Sequence, residues 1–410
     1  MKYKLLIIGH VWPEPRSSAA GSRMMQLIGA FQKEDYEIIF ASACAKSDNA
    51  FDLSAMGIVQ ANIEMNHSSF DRFVKSFNPD VVVFDRFMTE EQFGWRVAEN
   101  CPDALRILDT EDLHSLRKGR QQAFKDGQAF SDSYFFNDVA KREIASIYRC
   151  DVSLMISEIE ISLLKDVFNV PEDLLLYLPF QCNTITEQAI QNLPLFNTRN
   201  HFITIGNFLH EPNYDAVLYL KETIWPLIKQ KLPSAQLHIY GAYASQKVNQ
   251  LHHEASGFLI KGFAEDAHEV MANAKVCVAP LRFGAGLKGK VIDAMQNGTP
   301  CVMTTIAAEG MFGNLKPNGF IEDTPEEFVK KAVLLYQNES LWKENQNNGF
   351  KTLIERFDKI FFHERLFSRI NELIVHLQKH RHHNFTGQLL QHHTLQSTKY
   401  MGKWIEEKNK

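Results

Sequence analysis

The sequence has no run of apolar residues long enough to cross a membrane. A membrane-spanning helix needs about 20 such residues, whereas runs such as KLLIIG at residues 4–9 soon stop. That first run also lacks the length of a signal-peptide core and a small-residue cleavage site. We therefore expect a cytoplasmic protein, and peripheral association with the inner face of a membrane stays open.

The chain also lacks paired cysteines and an excess of charge of one sign. Its six cysteines form no C-x-x-C pair, which excludes the usual zinc and redox motifs and indicates a reducing compartment. The 44 Lys and Arg residues against 49 Asp and Glu give a net charge of −5, which argues against a nucleic-acid partner. With 410 residues, 45% of them hydrophobic, the chain is long enough for two globular domains.

Short apolar runs alternate with longer amphipathic segments, which indicates an α/β fold with parallel sheets. A turn-rich segment, QNLPLFNTRN at residues 191–200, separates two series of such runs. The pattern predicts two Rossmann-like domains facing each other across a central cleft, where ligands of such sheets bind. We expect a first domain over residues 1–190, completed by helices near 358–380, a second domain over 200–355, and a polar, His-rich tail over 381–410.

Three histidines in the tail region, His376, His380 and His383, fall on one helical face. A metal site is conceivable there, but no carboxylate or cysteine is spaced to complete a ligand shell. The pattern favours a solvated face and no metal.

A basic segment, SLRKGRQQAFK at residues 115–125, contains Arg117, Lys118, Arg120 and Lys125. It is typical of a solvated helix face. The alternative is a surface for an anionic membrane or a lipid-linked acceptor. Farther along, the spacing of Ser157 and Glu160 predicts a capping box at a helix start.

The segment GAGLKGKVIDAM, residues 284–295, matches two phosphate-binding patterns incompletely. As a P-loop it carries Val291 where a hydroxyl should hold Mg²⁺. As a dinucleotide fingerprint it follows the fourth strand of its half, whereas that motif follows the first. In a third interpretation the segment still binds a phosphate group. Lys288 and Lys290 add two cations to a helix N-terminus and stabilise a diphosphate, and they stabilise it more strongly when it departs as the leaving group. Asp293, one turn on, suits ribose hydroxyls.

Two long segments resemble glycosyltransferase family 4 and its relatives, retaining enzymes of the GT-B fold. They are PLRFGAGLKGKVIDAMQNGTPCVMTTIAAEG, residues 280–310, and GNFLHEPNYDAVLYLKETIWPLIKQKLPSAQLHIYG, residues 206–241. The first half is less similar, with DTEDLHSLR and the early Pro-Gly loop as its best matches. The resemblance implies a two-domain enzyme that binds a nucleotide sugar between its domains.

The resemblance also implies roles for individual residues. Lys290, Lys288 and His114 are implied to act in catalysis, the lysines on the diphosphate and His114 on the sugar or acceptor. Residues implied to bind the donor are Gly284, Gly286, Asp293, Glu309, Gly310, Gly262, Phe263, Gly206 and Asn207. Residues implied to lie on the acceptor side are Gly21, Arg16, Arg23 and Asp109. Asn213 is expected to cap a helix.

Two features depart from the family pattern. Many members carry an acid eight residues before the position of Asp293, where this chain has Ala285. Many also place cations after the first strand of the second domain, where this chain has Asn207. These departures leave the choice of sugar open and place the phosphate charge on Lys288 and Lys290.

The implied reaction is glycosyl transfer with retention of the anomeric configuration, from a UDP- or GDP-sugar to a glycan or lipid-linked acceptor in polysaccharide or glycoconjugate synthesis. No D-x-D motif occurs, so neither a metal nor another cofactor is expected. The alternatives are a non-catalytic nucleotide-sugar-binding protein of the same fold, an epimerase of nucleotide sugars and, less favoured, an NAD-binding oxidoreductase.

Overall fold

A computed structural model describes residues 2–410, and for residues 393–396 it describes the backbone only. The chain forms two parallel sheets, one in each half. The strands of the first sheet are β1 Lys4–Gly9, β2 Glu37–Ser42, β3 Val59–Asn62, β4 Val81–Asp85, β5 Leu105–Asp109, β6 Val152–Met155 and β7 Leu175–Tyr177. The strands of the second are β8 Asn200–Ile205, β9 Leu237–Tyr240, β10 Phe258–Gly262, β11 Ala274–Ala279, β12 Cys301–Met303 and β13 Gly319–Ile321.

Helices cover both faces of each sheet. In the first half they are α1 Ala19–Lys33, α2 Ser69–Phe77, α3 Phe87–Asn100, α4 His114–Lys125, α5 Asp132–Phe135, α6 Asp138–Arg149, α7 Glu158–Phe168 and α8 Glu187–Gln191. In the second half they are α9 Glu211–Tyr219, α10 Trp225–Lys231, α11 Gln246–Asn249, α12 Ala267–Asn273, α13 Gly289–Gln296, α14 Thr305–Ala308, α15 Pro325–Gln337, α16 Glu339–Arg356, α17 Lys359–His383 and α18 Phe385–Lys408.

The strand orders are β3-β2-β1-β4-β5-β6-β7 and β10-β9-β8-β11-β12-β13. Each half is therefore a doubly wound sheet whose order reverses beside its first strand, so a ligand crevice opens at the carboxyl edge there. The predicted α/β class with two Rossmann-like sheets is confirmed. The central strands are continuous apolar runs because helices bury both of their faces, as residues 5–8 and 81–84 show with exposures of 0–1%.

The sequence pattern missed β3. This four-residue edge strand, VQAN, has no fully buried residue, and it pairs with β2 from Ile39 opposite Val59 onward. Edge strands contact the core on one side only, so they need no apolar run. Its position in the sheet is therefore set by pairing with β2.

Helix α17 returns from the second half and packs on the first sheet. Phe362, Leu366, Phe367, Ile370, Leu373 and Leu377 share one buried cluster with β1. Phe367 meets the ring of Phe31 on α1 edge-on at 5.1 Å. The first domain thus contains apolar side chains from both ends of the chain.

The polar C-terminal region is helical and packs against α3 and α6. Asn384 caps α18 by accepting from the Gly387 amide at 3.0 Å and donates to the Tyr148 carbonyl at 2.7 Å. Gln391 donates to the Arg149 carbonyl at 2.8 Å. These bonds satisfy carbonyls at the end of α6, which explains how a polar sequence is held against the domain.

Two of the three tail histidines bind backbone carbonyls. A His380 ring nitrogen lies 2.7 Å from the Asp151 carbonyl, and a His383 ring nitrogen lies 2.8 Å from that of Lys379. His376 has non-helical angles, so α17 is kinked there. Among residues 2–410, no helix is both long enough and apolar enough to span a bilayer.

We predict that Leu366→Ala costs about 2–5 kcal/mol of unfolding free energy, because it leaves a cavity in the first domain. Leu366 is fully buried. Val375→Ala on the same helix is the matched control, since Val375 is 73% exposed and such a change costs less than about 0.5 kcal/mol. Guanidinium unfolding curves measure both. Equal effects would contradict the assignment of α17 to the first core.

Candidate functional site

Two helix N-termini face each other where the domains meet. Gly289 begins α13 and Ala19 begins α1, and a Cβ on Gly289 would lie 2.6 Å from the Cβ of Ala19. No side chain caps α13, whereas the Ser18 hydroxyl caps α1 by accepting from the Gly21 amide at 3.0 Å. Two helix dipoles therefore place positive ends at one point of the cleft, an arrangement that favours an anion.

Lys288 and Lys290 bring two ammonium groups to this point. Both residues are more than 90% buried. The Lys288 ammonium donates to the carbonyls of Ala285 and Gly286, at 3.0 and 2.6 Å, and that of Lys290 donates to the Asn213 side chain at 3.0 Å. Burial lowers the pKa of each lysine to about 8. Within the described residues, neither ammonium group forms an ion pair, although Glu309 and Glu160 act on Lys288, and Asp293 on Lys290, from a greater distance.

Asn213 was predicted to cap a helix, and the structure contradicts this. His210 is the N-cap residue of α9, and Asn213 lies inside that helix, between Lys290 and the Asn207 carbonyl, to which it donates at 2.9 Å. Asn213 also closely approaches Gly206. The loop of Gly206 and Asn207 therefore supports Lys290 through this amide side chain.

Asp293 lies one turn into α13 and is half-buried. Burial raises its pKa to about 6, against the opposing effect of His268 and Lys290. The carboxylate is ionised near neutral pH and can accept hydrogen bonds from hydroxyl groups beside the helix start.

Glu160 connects the glycine loop to the first domain, a contact that sequence reasoning missed. Its Oε1 accepts from the amides of Gly286 at 2.8 Å and Leu113 at 3.1 Å. Ser157 is the N-cap of α7 but makes no side-chain cap bond, so the predicted capping box did not form. Burial raises the pKa of Glu160 to about 8. The Gly286 amide, expected to bind phosphate, is bound by Glu160 here.

A second carboxylate, Glu309, is also bound across the cleft. Arg120 of α4 donates two hydrogen bonds to the Glu309 carboxylate, of 2.8 and 2.7 Å, and a third to the Gly284 carbonyl at 2.9 Å. The basic segment is therefore not uniformly solvated, because Arg120 is turned into the domain interface. Lys118 and Lys125 are exposed, and Arg117 pairs with Asp112.

Glycines allow the closest approaches of the two domains. A Cβ on Gly286, which has φ +65°, would lie 2.8 Å from the Cβ of Asp112. A Cβ on Gly310, with φ +74°, would lie 2.9 Å from the hydroxyl of Ser157. Substitution at either position would both strain the backbone and separate the domains.

His114 begins α4 at the cleft. Its ring lies 3.4 Å from Asp112 and meets the ring of Phe87 edge-on at 5.5 Å. Burial lowers its pKa to about 3, so the imidazole is neutral near pH 7 and can donate or accept a hydrogen bond but supplies no positive charge. A second histidine, His210, interacts electrostatically with Arg117 and Asp112, and burial lowers its pKa to about 4.

Two of the acceptor-side predictions, Arg23 and Asp109, are corrected by the structure. Both are buried, with exposures of 1% and 0%, and form an ion pair at 2.9 Å. Arg23 also donates to the Leu178 carbonyl at 2.6 Å. The pair joins α1 to the ends of β5 and β7 and presents no group to an acceptor.

The remaining predicted residues lie at the rim or in turns. Arg16 is exposed, pairs with Glu265 of the second domain at 3.2 Å and lies 5.9 Å from the ring centre of Phe263. Gly21 fits closely against the Glu14 carbonyl. Gly262 ends β10 with φ +75° and has open space around it, so the backbone there is accessible to a ligand.

Comparison with known proteins supports a glycosyltransferase architecture. Residues 199–338 match the family model described as Glycosyl transferases group 1. A curated relative, an uncharacterized 44.6 kDa protein in the cps region of Klebsiella pneumoniae, is 24% identical over 173 residues, which are 40% of this chain and 44% of that protein.

Solved GT-B glycosyltransferases have the same fold. Anabaena HepE in complex with UDP-glucose superimposes with a TM-score of 0.69 at 10% identity, over 90% of this chain and 100% of that one. A TarM G117R mutant of S. aureus in complex with Fondaparinux, alpha-GlcNAc-glycerol and UDP gives 0.58 at 17% identity, over 73% and 58%. This chain thus spans less than two thirds of the Klebsiella protein and of that TarM chain.

We predict that Arg23→Met destabilises the protein by about 3–5 kcal/mol, because it leaves Asp109 charged and buried without a partner. Arg16→Met is the control, since Arg16 is exposed and such a surface change costs less than about 0.5 kcal/mol. Urea unfolding monitored by circular dichroism compares the two. Normal stability of Arg23→Met would return Arg23 to the acceptor-side candidates.

Proposed function

We propose that this protein, whose residues 199–338 form a group 1 glycosyltransferase domain within a GT-B fold, transfers a sugar from a nucleotide-sugar donor to an acceptor hydroxyl. The donor diphosphate occupies the point where α1 and α13 begin. Retention of the anomeric configuration, a UDP- or GDP-linked hexose and independence from metal belong to the same proposal.

The observation that carries the proposal is the pair of buried ammonium groups of Lys288 and Lys290, which form no ion pair with any described residue. Burying an unpaired charge is unfavourable unless a counter-charge compensates it. A diphosphate supplies that charge to Lys288 and Lys290 and receives amide donors from the uncapped start of α13. These groups also stabilise the negative charge that grows on the diphosphate as its bond to the sugar breaks. Their interaction with the diphosphate is stronger in the transition state than in the bound donor, and this difference accelerates the reaction.

The proposed reaction starts from a donor held at this point. The bond from the anomeric carbon to the diphosphate oxygen breaks, and the acceptor oxygen bonds to that carbon on the same face. The acceptor proton passes to the departing phosphate. Lys288 and Lys290 hold the diphosphate, Asp293 binds ribose hydroxyls, and neutral His114 forms a hydrogen bond to the sugar or the acceptor.

The acceptor is proposed to be a glycan or a lipid-linked sugar. The relative from a cps region and the S. aureus structure with a glycan-type ligand and alpha-GlcNAc-glycerol support this class. Synthesis of such polymers fits a cytoplasmic protein that associates with the inner face of a membrane. The exposed Lys118 and Lys125 on α4 suit contact with anionic headgroups.

We predict that UDP or GDP raises the melting temperature by a few degrees without added Mg²⁺, as a ligand at about 100 times its Kd should in a chain of this length. Lys290→Ala should abolish this shift, because it removes one of two buried cations from the diphosphate site. Lys118→Ala, which removes an exposed lysine of α4, is the control and should show the same rise in melting temperature as the wild type.

The other outcomes identify other functions. A shift with NAD alone would favour an oxidoreductase, and a shift that requires ATP and Mg²⁺ would favour a nucleotide hydrolase. A UDP or GDP shift without turnover of any sugar donor would favour a non-catalytic binding protein. A normal shift in Lys290→Ala would contradict the placement of the diphosphate.

We predict that nucleotide diphosphate binding weakens above about pH 8, because only protonated lysines attract the phosphates. Below the pKa of about 8 of Lys288 and Lys290, both carry charge and binding is at its strongest. Below about pH 6, protonation of Asp293 removes the acceptor for ribose, so affinity falls again. Titration calorimetry across this pH range measures the Kd of the nucleotide diphosphate. A Kd that stays constant between about pH 7 and pH 9 would contradict the assignment of Lys288 and Lys290 to the diphosphate site.

A further inference from the structure

A second charged site lies at the opposite edge of the first sheet from the cleft. Two adjoining cavities, each of about 230 Å³, lie between α3, the end of α6 and the C-terminal helix α18. Ala98, Arg106, Arg149 and Gln391 line both cavities. Arg106 is the second residue of β5, so the cavities open at the amino ends of the strands.

Arg106 is the arginine of this cluster whose Nε makes no hydrogen bond. Its side chain is 8% exposed and forms an ion pair with Asp151, with the Nε 3.7 Å from the carboxylate, beyond hydrogen-bond distance. Among the described residues, that buried Nε has no hydrogen-bond partner. Burial lowers the pKa of Arg106, Asp151 opposes this effect, and the neighbouring Arg381 lowers the pKa further. A guanidinium nevertheless stays charged in a protein, so a buried positive charge remains.

The carboxylates near Arg106 are already bound by other arginines. Arg149 donates from Nε to Glu90 at 2.9 Å and makes a second bond through Nη2. Arg381 donates to both oxygens of Asp151, at 2.7 and 2.8 Å. Asp151 is thus shared between Arg381, which hydrogen-bonds it, and Arg106, so the cluster holds three guanidinium groups beside two carboxylates.

Glu90, Glu91 and Asp151 are the only acids among the described residues that line these cavities. Glu91 lines the first cavity, and its carboxylate is bound by Arg142 through Nε at 3.0 Å. The sequence has no acidic residue between positions 393 and 396. Water can satisfy a donor but cannot balance the charge of a buried guanidinium.

We infer that the two cavities beside Arg106 form a binding site for a small anion that carries a phosphate or carboxylate group. A guanidinium binds either group through paired hydrogen bonds. Each cavity, at about 230 Å³, is smaller than the roughly 300–1,000 Å³ typical of drug-sized ligands, so an anion held in one of them is smaller than a nucleotide. Gln391 of α18 lines both cavities, so the bound anion also holds the C-terminal helix on the domain.

The test is thermal unfolding of the full chain with increasing inorganic phosphate or succinate, at constant ionic strength. The variants are Arg106→Met, Arg72→Met as a matched control at an exposed arginine, and Lys290→Ala, which removes the cleft cation. We expect the wild type, Arg72→Met and Lys290→Ala to gain about 2 °C or more with one of the two anions. Arg106→Met should show no such gain.

Without anion, Arg106→Met should melt close to the wild type, because Arg381 still donates to both oxygens of Asp151 and one buried charge is removed. An arginine with a purely structural role would give the opposite result, a lower melting temperature that anions do not change. If Arg106→Met does not fold, Arg106→Lys replaces it and should bind the anion at least about tenfold more weakly in calorimetry, since lysine lacks the paired donors.

The two anions distinguish the chemical groups. A gain with phosphate alone identifies a phosphate ligand, and a gain with succinate alone identifies a carboxylate ligand. Equal gains in the wild type and Arg106→Met would show a general salt effect and overturn the inference, as would no gain with either anion.

Discussion

The close approach of two sheet edges is the constraint on which the rest of this structure depends. The N-termini of α1 and α13 meet with so little space that only glycine fits at position 289. Gly286 and Gly310 permit similar contacts beside it. Because these contacts exclude water, every charge at the interface needs a partner or changes its pKa. The electrostatic character of the cleft therefore follows from its tight packing.

The charges at this interface divide into satisfied pairs and unsatisfied groups. Arg120 with Glu309 and Arg23 with Asp109 are ion pairs that join elements of the fold. Lys288 and Lys290 have only neutral partners in the described part of the chain. A paired charge holds structure, and an unpaired buried charge indicates a ligand. At the far edge of the first sheet, Arg149 and Arg381 hydrogen-bond their carboxylates, whereas the Nε of Arg106 makes no hydrogen bond within the described residues.

Several site residues could not have been assigned from the sequence. The spacing of Ser157 and Glu160 fitted a capping box, but tertiary contacts gave Glu160 two amides from other segments. Arg120 belonged to a basic run typical of a solvated face, and only the fold shows its side chain turning to Glu309. In the sequence, Arg23 and Asp109 belong to segments whose positions suit an acceptor site. Their burial as an ion pair becomes visible only in the tertiary structure, where α1 packs against the ends of β5 and β7.

The sequence by itself determined the class of fold, the two series of strands and the glycine-lysine loop between a strand and a helix. These follow from local periodicity and from residue types that only certain backbone conformations accept. The tertiary structure decided which charges are paired, where the polar C-terminal region packs, and which amides stay accessible. The physical reason is that pairing and desolvation depend on residues far apart in the chain, such as Arg120 and Glu309, whose meeting no local pattern encodes.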